Sequence, residues 1–126
     1  MSTSPRNPVG VNQDITGRVD TNDYKTPAYA ATINITTRQK RTLVQPGQLT
    51  GALTVNVGVG SASSAPFVGD ELKFMFAGDA SARTVTFGTG LTVASATLAL
   101  SAGKKGYIEF IFDGAAWIEV SRVIHA

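Results

Sequence analysis

The sequence predicts an all-β protein, an antiparallel β-sandwich of jelly-roll-like order preceded by an extended N-terminal arm. Three observations predict it. Apolar and polar residues alternate along most of the chain after residue 28, and glycines fall between or at the ends of the alternating stretches. No stretch carries the i, i+3, i+4, i+7 apolar spacing of a long helix. A chain of 126 residues supplies one domain, enough to bury about two-thirds of its unfolded surface. Its 43% hydrophobic and 16% charged residues are those of a globular chain.

Residues 1–28 read as the arm and residues 29–126 as the sandwich domain. Up to Ala28 the apolar residues are sparse, and they are interleaved with Pro5, Pro8, Pro27 and many Asn, Asp, Ser and Thr. Val9, Val11, Ile15 and Val19 are spaced for shallow, intermittent contacts. Such a segment either lies extended over a neighbouring subunit or is a disordered terminus. The charge boundary lies slightly later. Through residue 41, Arg6, Arg18, Lys25, Arg38, Lys40 and Arg41 outweigh Asp14, Asp20 and Asp23, a net +3, whereas the remainder carries −1. Arg38-Gln39-Lys40-Arg41 is the densest basic cluster. It reads either as a dock for an acidic protein surface or as a solvated turn between strands.

In the body, Ile33 and Ile35 mark the first strand, and Leu53, Val55, Val57 and Val59 the second. Leu72, Phe74 and Phe76 mark the third, which Gly78-Asp79-Ala80-Ser81 turns into a strand over residues 83–87. Short strands follow at 91–93 and 97–100. Residues 106–112 and 117–123 form a hairpin around Asp113-Gly114. The expected core face comprises Ile33, Ile35, Leu53, Val55, Val57, Leu72, Phe74, Phe76, Val85, Phe87, Leu98, Leu100, Ile108, Phe110, Phe112, Ile118 and Val120. If Ile118 and Val120 point inward, Trp117 points outward and becomes a subunit contact. A bulge near the loop would instead turn Trp117 inward.

The residue types exclude much chemistry. Without cysteine there is no disulfide, no thiol nucleophile and no thiolate zinc site. The single histidine, His125, is too close to the chain end to serve a Ser-His-acid triad. Asp70 and Glu71 are adjacent and point apart, so they do not form an acid-base pair. Asp113 suits a turn, where its side chain caps main-chain N–H groups. Gly58-Val59-Gly60-Ser61 lacks the third glycine and the helix of a dinucleotide loop. Asn34-Ile35-Thr36 matches a glycosylation acceptor but falls inside a strand, in a chain that shows no secretory signal. No metal-ligand spacing is present and no cofactor is expected. The net charge of +2 does not mark a nucleic-acid binder, and no window approaches the roughly 20 apolar residues of a membrane span.

Four segments carry a resemblance. They are Gly69-Asp70-Glu71-Leu72-Lys73-Phe74-Met75-Phe76, Gly78-Asp79-Ala80-Ser81-Ala82-Arg83-Thr84-Val85-Thr86-Phe87-Gly88-Thr89-Gly90, Gly103-Lys104-Lys105-Gly106, and Phe112-Asp113-Gly114-Ala115-Ala116-Trp117-Ile118-Glu119-Val120-Ser121-Arg122. In this order they resemble a β module common in virion proteins of tailed bacteriophages, found in fibres, head fibres and capsid decorations. The resemblance covers about residues 43 to 122. It implies a non-enzymatic structural protein on the capsid surface, made in the host cytoplasm. A short arm plus one module fits a decoration, or cement, protein better than a receptor-reaching fibre. The implied partners are the major capsid protein and further copies of the chain, as a homotrimer. On this reading Arg6, Val9, Val11, Ile15, Arg18, Val19 and Lys25 meet the capsid, and Arg38, Lys40, Arg41 and Trp117 meet neighbouring subunits. The alternative is a short head or tail fibre module. Its loops at 77–82 and 101–106 would touch a receptor or a host-surface glycan, although they hold Ala, Gly, Ser and Lys in place of sugar-stacking aromatics.

Overall fold

Period-two alternation becomes ten strands and no helix in the computed structural model, which describes residues 22–59 and 66–125. The strands are β1 (Asn22–Lys25), β2 (Thr32–Ile35), β3 (Arg41–Val44), β4 (Leu53–Val57), β5 (Glu71–Ala77), β6 (Arg83–Phe87), β7 (Leu91–Thr92), β8 (Thr97–Leu100), β9 (Lys105–Phe112) and β10 (Trp117–His125). They build a six-stranded sheet of order β1-β3-β5-β9-β10-β7 and a four-stranded sheet of order β2-β4-β6-β8. The expected all-β, two-sheet architecture is present. β1 lies within the segment read as an arm, so Asn22–Lys25 belongs to a sheet of the body.

The strand directions differ from the expectation. Among the described residues five of the eight pairings are parallel, namely β1 with β3, β3 with β5, β2 with β4, β4 with β6, and β7 with β10. From β1 to β6 the chain crosses to the opposite sheet after every strand. A strand's neighbour within its own sheet is therefore the next strand but one, which runs the same way. The strand in the other sheet serves as the crossover that parallel pairing requires, a role usually taken by a helix. The antiparallel, jelly-roll-like order is thus replaced by a winding of parallel strands. Only β5–β9, β9–β10 and β6–β8 pair antiparallel. For the same reason Gly78–Ser81 carries the chain between sheets and does not close a hairpin.

The core lies between the sheets. Phe74 stacks on Phe76 at 5.5 Å and meets Phe110 edge-on at 6.0 Å, while Phe87 reaches across from the four-stranded sheet to within 6.1 Å of Phe110. Offset and edge contacts of this kind suit aromatic quadrupoles. Gly106 lies on the inner face of β9, where a Cβ would fall 2.8 Å from Leu98 Cδ2 and 2.9 Å from Leu100 Cδ2. Side-chain bulk is omitted at that point so that the opposite sheet can close down.

Three residues depart from the expected phase. Trp117 is wholly buried, Val120 is half exposed and Ile118 is only partly covered. Up to the hairpin end, Phe112 pairs with Trp117 and Phe110 with Glu119, but Glu109 pairs with Ser121, so Val120 is an extra residue in β10. This bulge shifts the alternation by one residue. Trp117 consequently packs on Phe112 at 5.1 Å, and its Nε1–H donates to the Gly58 carbonyl at 3.4 Å.

Candidate interaction surfaces

The two outer faces of the sandwich are chemically different. On the four-stranded sheet the register aligns Thr32, Thr54, Thr86 and Thr97 in one row across all four strands. The adjacent row holds Asn34 and Asn56, with Asn56 Nδ2 donating to Asn34 Oδ1 at 3.2 Å. That face is polar and small in side chain.

The six-stranded sheet exposes Tyr24, Met75, Ile111 and Val123, with Leu43 and Tyr107 half-buried among them. Charges of both signs are set between them. Arg41 Nε lies 3.8 Å from Glu71, and Lys73 is paired in register with Glu109. A shallow groove of about 330 Å³ runs between β1, β3 and β5, lined by Tyr24, Arg41, Leu43, Glu71 and Lys73. Apolar patches rimmed by mixed charge are what protein contacts use.

The expected contact residues fall in different places. Arg6, Val9, Val11, Ile15, Arg18 and Val19 lie outside the described residues. Lys25 is on β1, where its Nζ meets Asp23 at 3.1 Å. Arg38 and Lys40 sit exposed in the link between β2 and β3, and Arg41 opens β3 on the outer face of the six-stranded sheet. The basic cluster is therefore a turn that also contributes one side chain to the exposed face. Trp117 is inside the sandwich and is not a subunit contact. The burial of its ring within one chain removes that assignment.

The two loops proposed for recognition are brought together at one end of the molecule. Gly103 N–H donates to the Asp79 carbonyl at 2.7 Å, and Gly78 N–H to the Lys104 carbonyl at 3.0 Å. Asp79 is held by Arg83 through two hydrogen bonds of 2.8 Å and by Ser81 N–H at 3.0 Å. The Arg83 contact, followed by the Ser81 bond, lowers its carboxyl to about 2. Its oxygens serve the turn.

Three further carboxylates have structural duties as well. Asp113 Oδ1 accepts from Ala116 N–H at 2.9 Å and from Ala115 N–H at 2.8 Å, bonds that lower its carboxyl. Asp70 is buried and accepts from Phe67 N–H at 2.9 Å. Glu119 is bound by Arg122, its main cause of a lowered carboxyl, and by Ala94 N–H. His125 lies exposed on β10. Among the described residues no three His, Asp or Glu side chains gather as metal ligands, and no helix is long and apolar enough to cross a membrane. No protein-family model matches the chain, and no curated protein matches it either.

Proposed function

We propose that this chain is a non-enzymatic virion protein that decorates a tailed-phage capsid and stabilises it from outside. The observation that carries the reading is the outer face of the six-stranded sheet. It is a broad, shallow surface of Tyr24, Leu43, Met75, Tyr107 and Ile111 set among Arg41, Glu71, Lys73 and Glu109. A surface of that shape suits adhesion to a protein lattice and gives no enclosed site for a small substrate. Asp70, Asp79, Asp113 and Glu119 are committed to turns and ion pairs, which fits a scaffold. The resembling segments supply β5, β6 and the β9–β10 hairpin, so the likeness to virion modules rests on the pieces that make the sandwich. The partner is the major capsid protein, and the location is the virion exterior after synthesis in the host cytoplasm. Neither nucleic acid nor membrane is a partner in this reading.

A ligand that binds only the assembled lattice stabilises it by mass action. Particles lacking the protein are expected to release their genome at lower temperature than decorated ones, and equal release temperatures would remove the reading. Removal of residues 2–21, which spares β1, separates the contributions of arm and body. Loss of decoration by a folded truncated chain assigns the grip to Arg6, Val9, Val11, Ile15, Arg18 and Val19. Retained decoration assigns it to the sheet face. The fibre alternative is favoured by one observation, the tying together of loops 77–82 and 101–106 into a single tip. Binding of the isolated protein to host cells or to a glycan array would support that alternative.

A further inference from the structure

β10 is nine residues long but has a strand on both sides only at its start, where Trp117 and Ile118 pair with Leu91 and Thr92. From Glu119 to His125, no strand among the described residues lies on its second side. Hydrogen bonding across β9 shows which groups face that side. Gly78 N–H donates to the Lys104 carbonyl and Phe112 N–H to the Asp70 carbonyl, both at 3.0 Å, so the even-numbered residues of β9 direct their main chain toward β5. The odd ones, Lys105, Tyr107 and Glu109, face β10 and bond to His125, Val123 and Ser121. Arg122 and Ile124 therefore turn their N–H and C=O groups outward to the open edge.

Two usual guards of a free edge, a short strand and proline, are missing there. The other outermost strands, β1, β2, β7 and β8, have four residues or fewer. The open stretch of β10 has seven, no proline, and exposed Val120, Val123 and Ile124, the last two at 43% and 47% exposure. Its two charged side chains, Glu119 and Arg122, are bound to each other on the inner side, and its bulge at Val120 precedes the regular stretch from Ser121 to His125.

We propose that two copies of this chain join along β10, antiparallel about a two-fold axis at Val123. In this register Arg122 of each copy lies opposite Ile124 of the second copy, and each such pair exchanges two main-chain hydrogen bonds between groups that already point outward. Val123 meets Val123 on the outer face, so the apolar row Met75, Tyr107, Val123 continues into the same row of the second copy. The row carrying Lys105 and His125 runs into the one carrying Ser121 and Glu109, with His125 opposite Ser121, so no like charges face each other across the seam. An axis one residue earlier would set the two Arg122 residues opposite each other, and one two residues earlier would draw the Val120 bulge into the pairing. The occupant that fits this register is a second copy. Such an isologous contact produces a two-fold dimer in place of the homotrimer that the resemblance implies.

The test is the mass of the full chain in solution, with two variants. Ile124→Pro removes an N–H that points only to the open edge and so leaves the bonds between β9 and β10 intact. Val123→Asp places two carboxylates opposite each other across the axis. The unmodified chain is expected at about twice its 13.2 kDa at about 100 µM, falling to single-chain mass on dilution. Both variants are expected at single-chain mass at every concentration with an unchanged circular dichroism spectrum. If Ile124→Pro fails to fold, Val123→Asp, on an exposed position, decides alone. An unmodified chain at single-chain or three-chain mass, or a folded variant that stays paired, would overturn the proposal.

Discussion

Replacement of Arg122 by Leu removes a side chain that ties β10 to the opposite sheet. Its Nε and one terminal nitrogen donate to the two Glu119 oxygens, both at 2.7 Å. The guanidinium also donates to the Thr97 carbonyl at 2.9 Å and the Ser95 carbonyl at 3.0 Å, and lies 5.4 Å from the centre of the Phe87 ring. Residues three apart in a strand ordinarily point to opposite faces. The Val120 bulge brings Glu119 and Arg122 to the same one. The Glu119 side chain is 8% exposed and that of Arg122 is 23% exposed. An exposed pair contributes about 0–1 kcal/mol, and breaking a buried one costs about 3–5 kcal/mol. This pair lies between, so Arg122→Leu is expected to cost about 2–3 kcal/mol, or a fall in Tm of roughly 6–12 °C for a domain of this size.

The assay is urea unfolding at pH 7 and at acid pH, with Glu119→Gln and the double variant completing a cycle. Glu119 has a folded pKa below its unfolded value, chiefly through Arg122. Its contribution is therefore present above the unfolded carboxylate pKa and is lost as pH falls through the lowered folded one. The difference between the parent chain and Arg122→Leu should shrink across that window. A cost under about 0.5 kcal/mol at pH 7, or no coupling to Glu119, would refute the latch.

Further outcomes concern single positions. Thr42 is buried with its Oγ1 unpartnered, so Thr42→Val, which keeps the shape, should stabilise the fold by about 1 kcal/mol in the same urea assay. Gly90 and Gly69 both have positive φ, at 85° and 90°. A Cβ at Gly90 would overlap the Val57 carbonyl, whereas at Gly69 it meets nothing. Gly69→Ala should cost about 1–2 kcal/mol of backbone strain, and Gly90→Ala clearly more. The Asp79 carboxyl should titrate near 2 by NMR, and in Arg83→Gln its midpoint should move up toward the ordinary carboxylate range.

The inward-facing positions were legible because a half-buried strand writes its face into every second residue, as at Leu53-Val55-Val57 and Leu72-Phe74-Phe76. Strand direction was not, since the same alternation serves parallel and antiparallel neighbours. The crossing of the chain between sheets from β1 to β6, visible only in three dimensions, settles it for those strands. β1 escaped notice because Asn22-Asp23-Tyr24-Lys25 is an edge strand with little apolar content. β3 did so because Arg41–Val44 is short and follows a basic turn. Val44 and Leu49 were missed with it. The phase of β10 turns on one inserted residue, Val120, and the two phases of Trp117 differ only by that insertion. For the candidate surfaces, composition located the basic cluster, but which side chains share a face depends on register across strands far apart in sequence. Arg41, Glu71 and Ile111 become neighbours only in the folded sheet.

The most direct test of capsid decoration is to add the purified chain to capsids of the same phage that lack it, and to measure both bound copies and genome release on heating. The expected result is binding that saturates at a fixed number of copies per particle, accompanied by a higher release temperature. Capsids that take up no protein and release their genome at an unchanged temperature would contradict it.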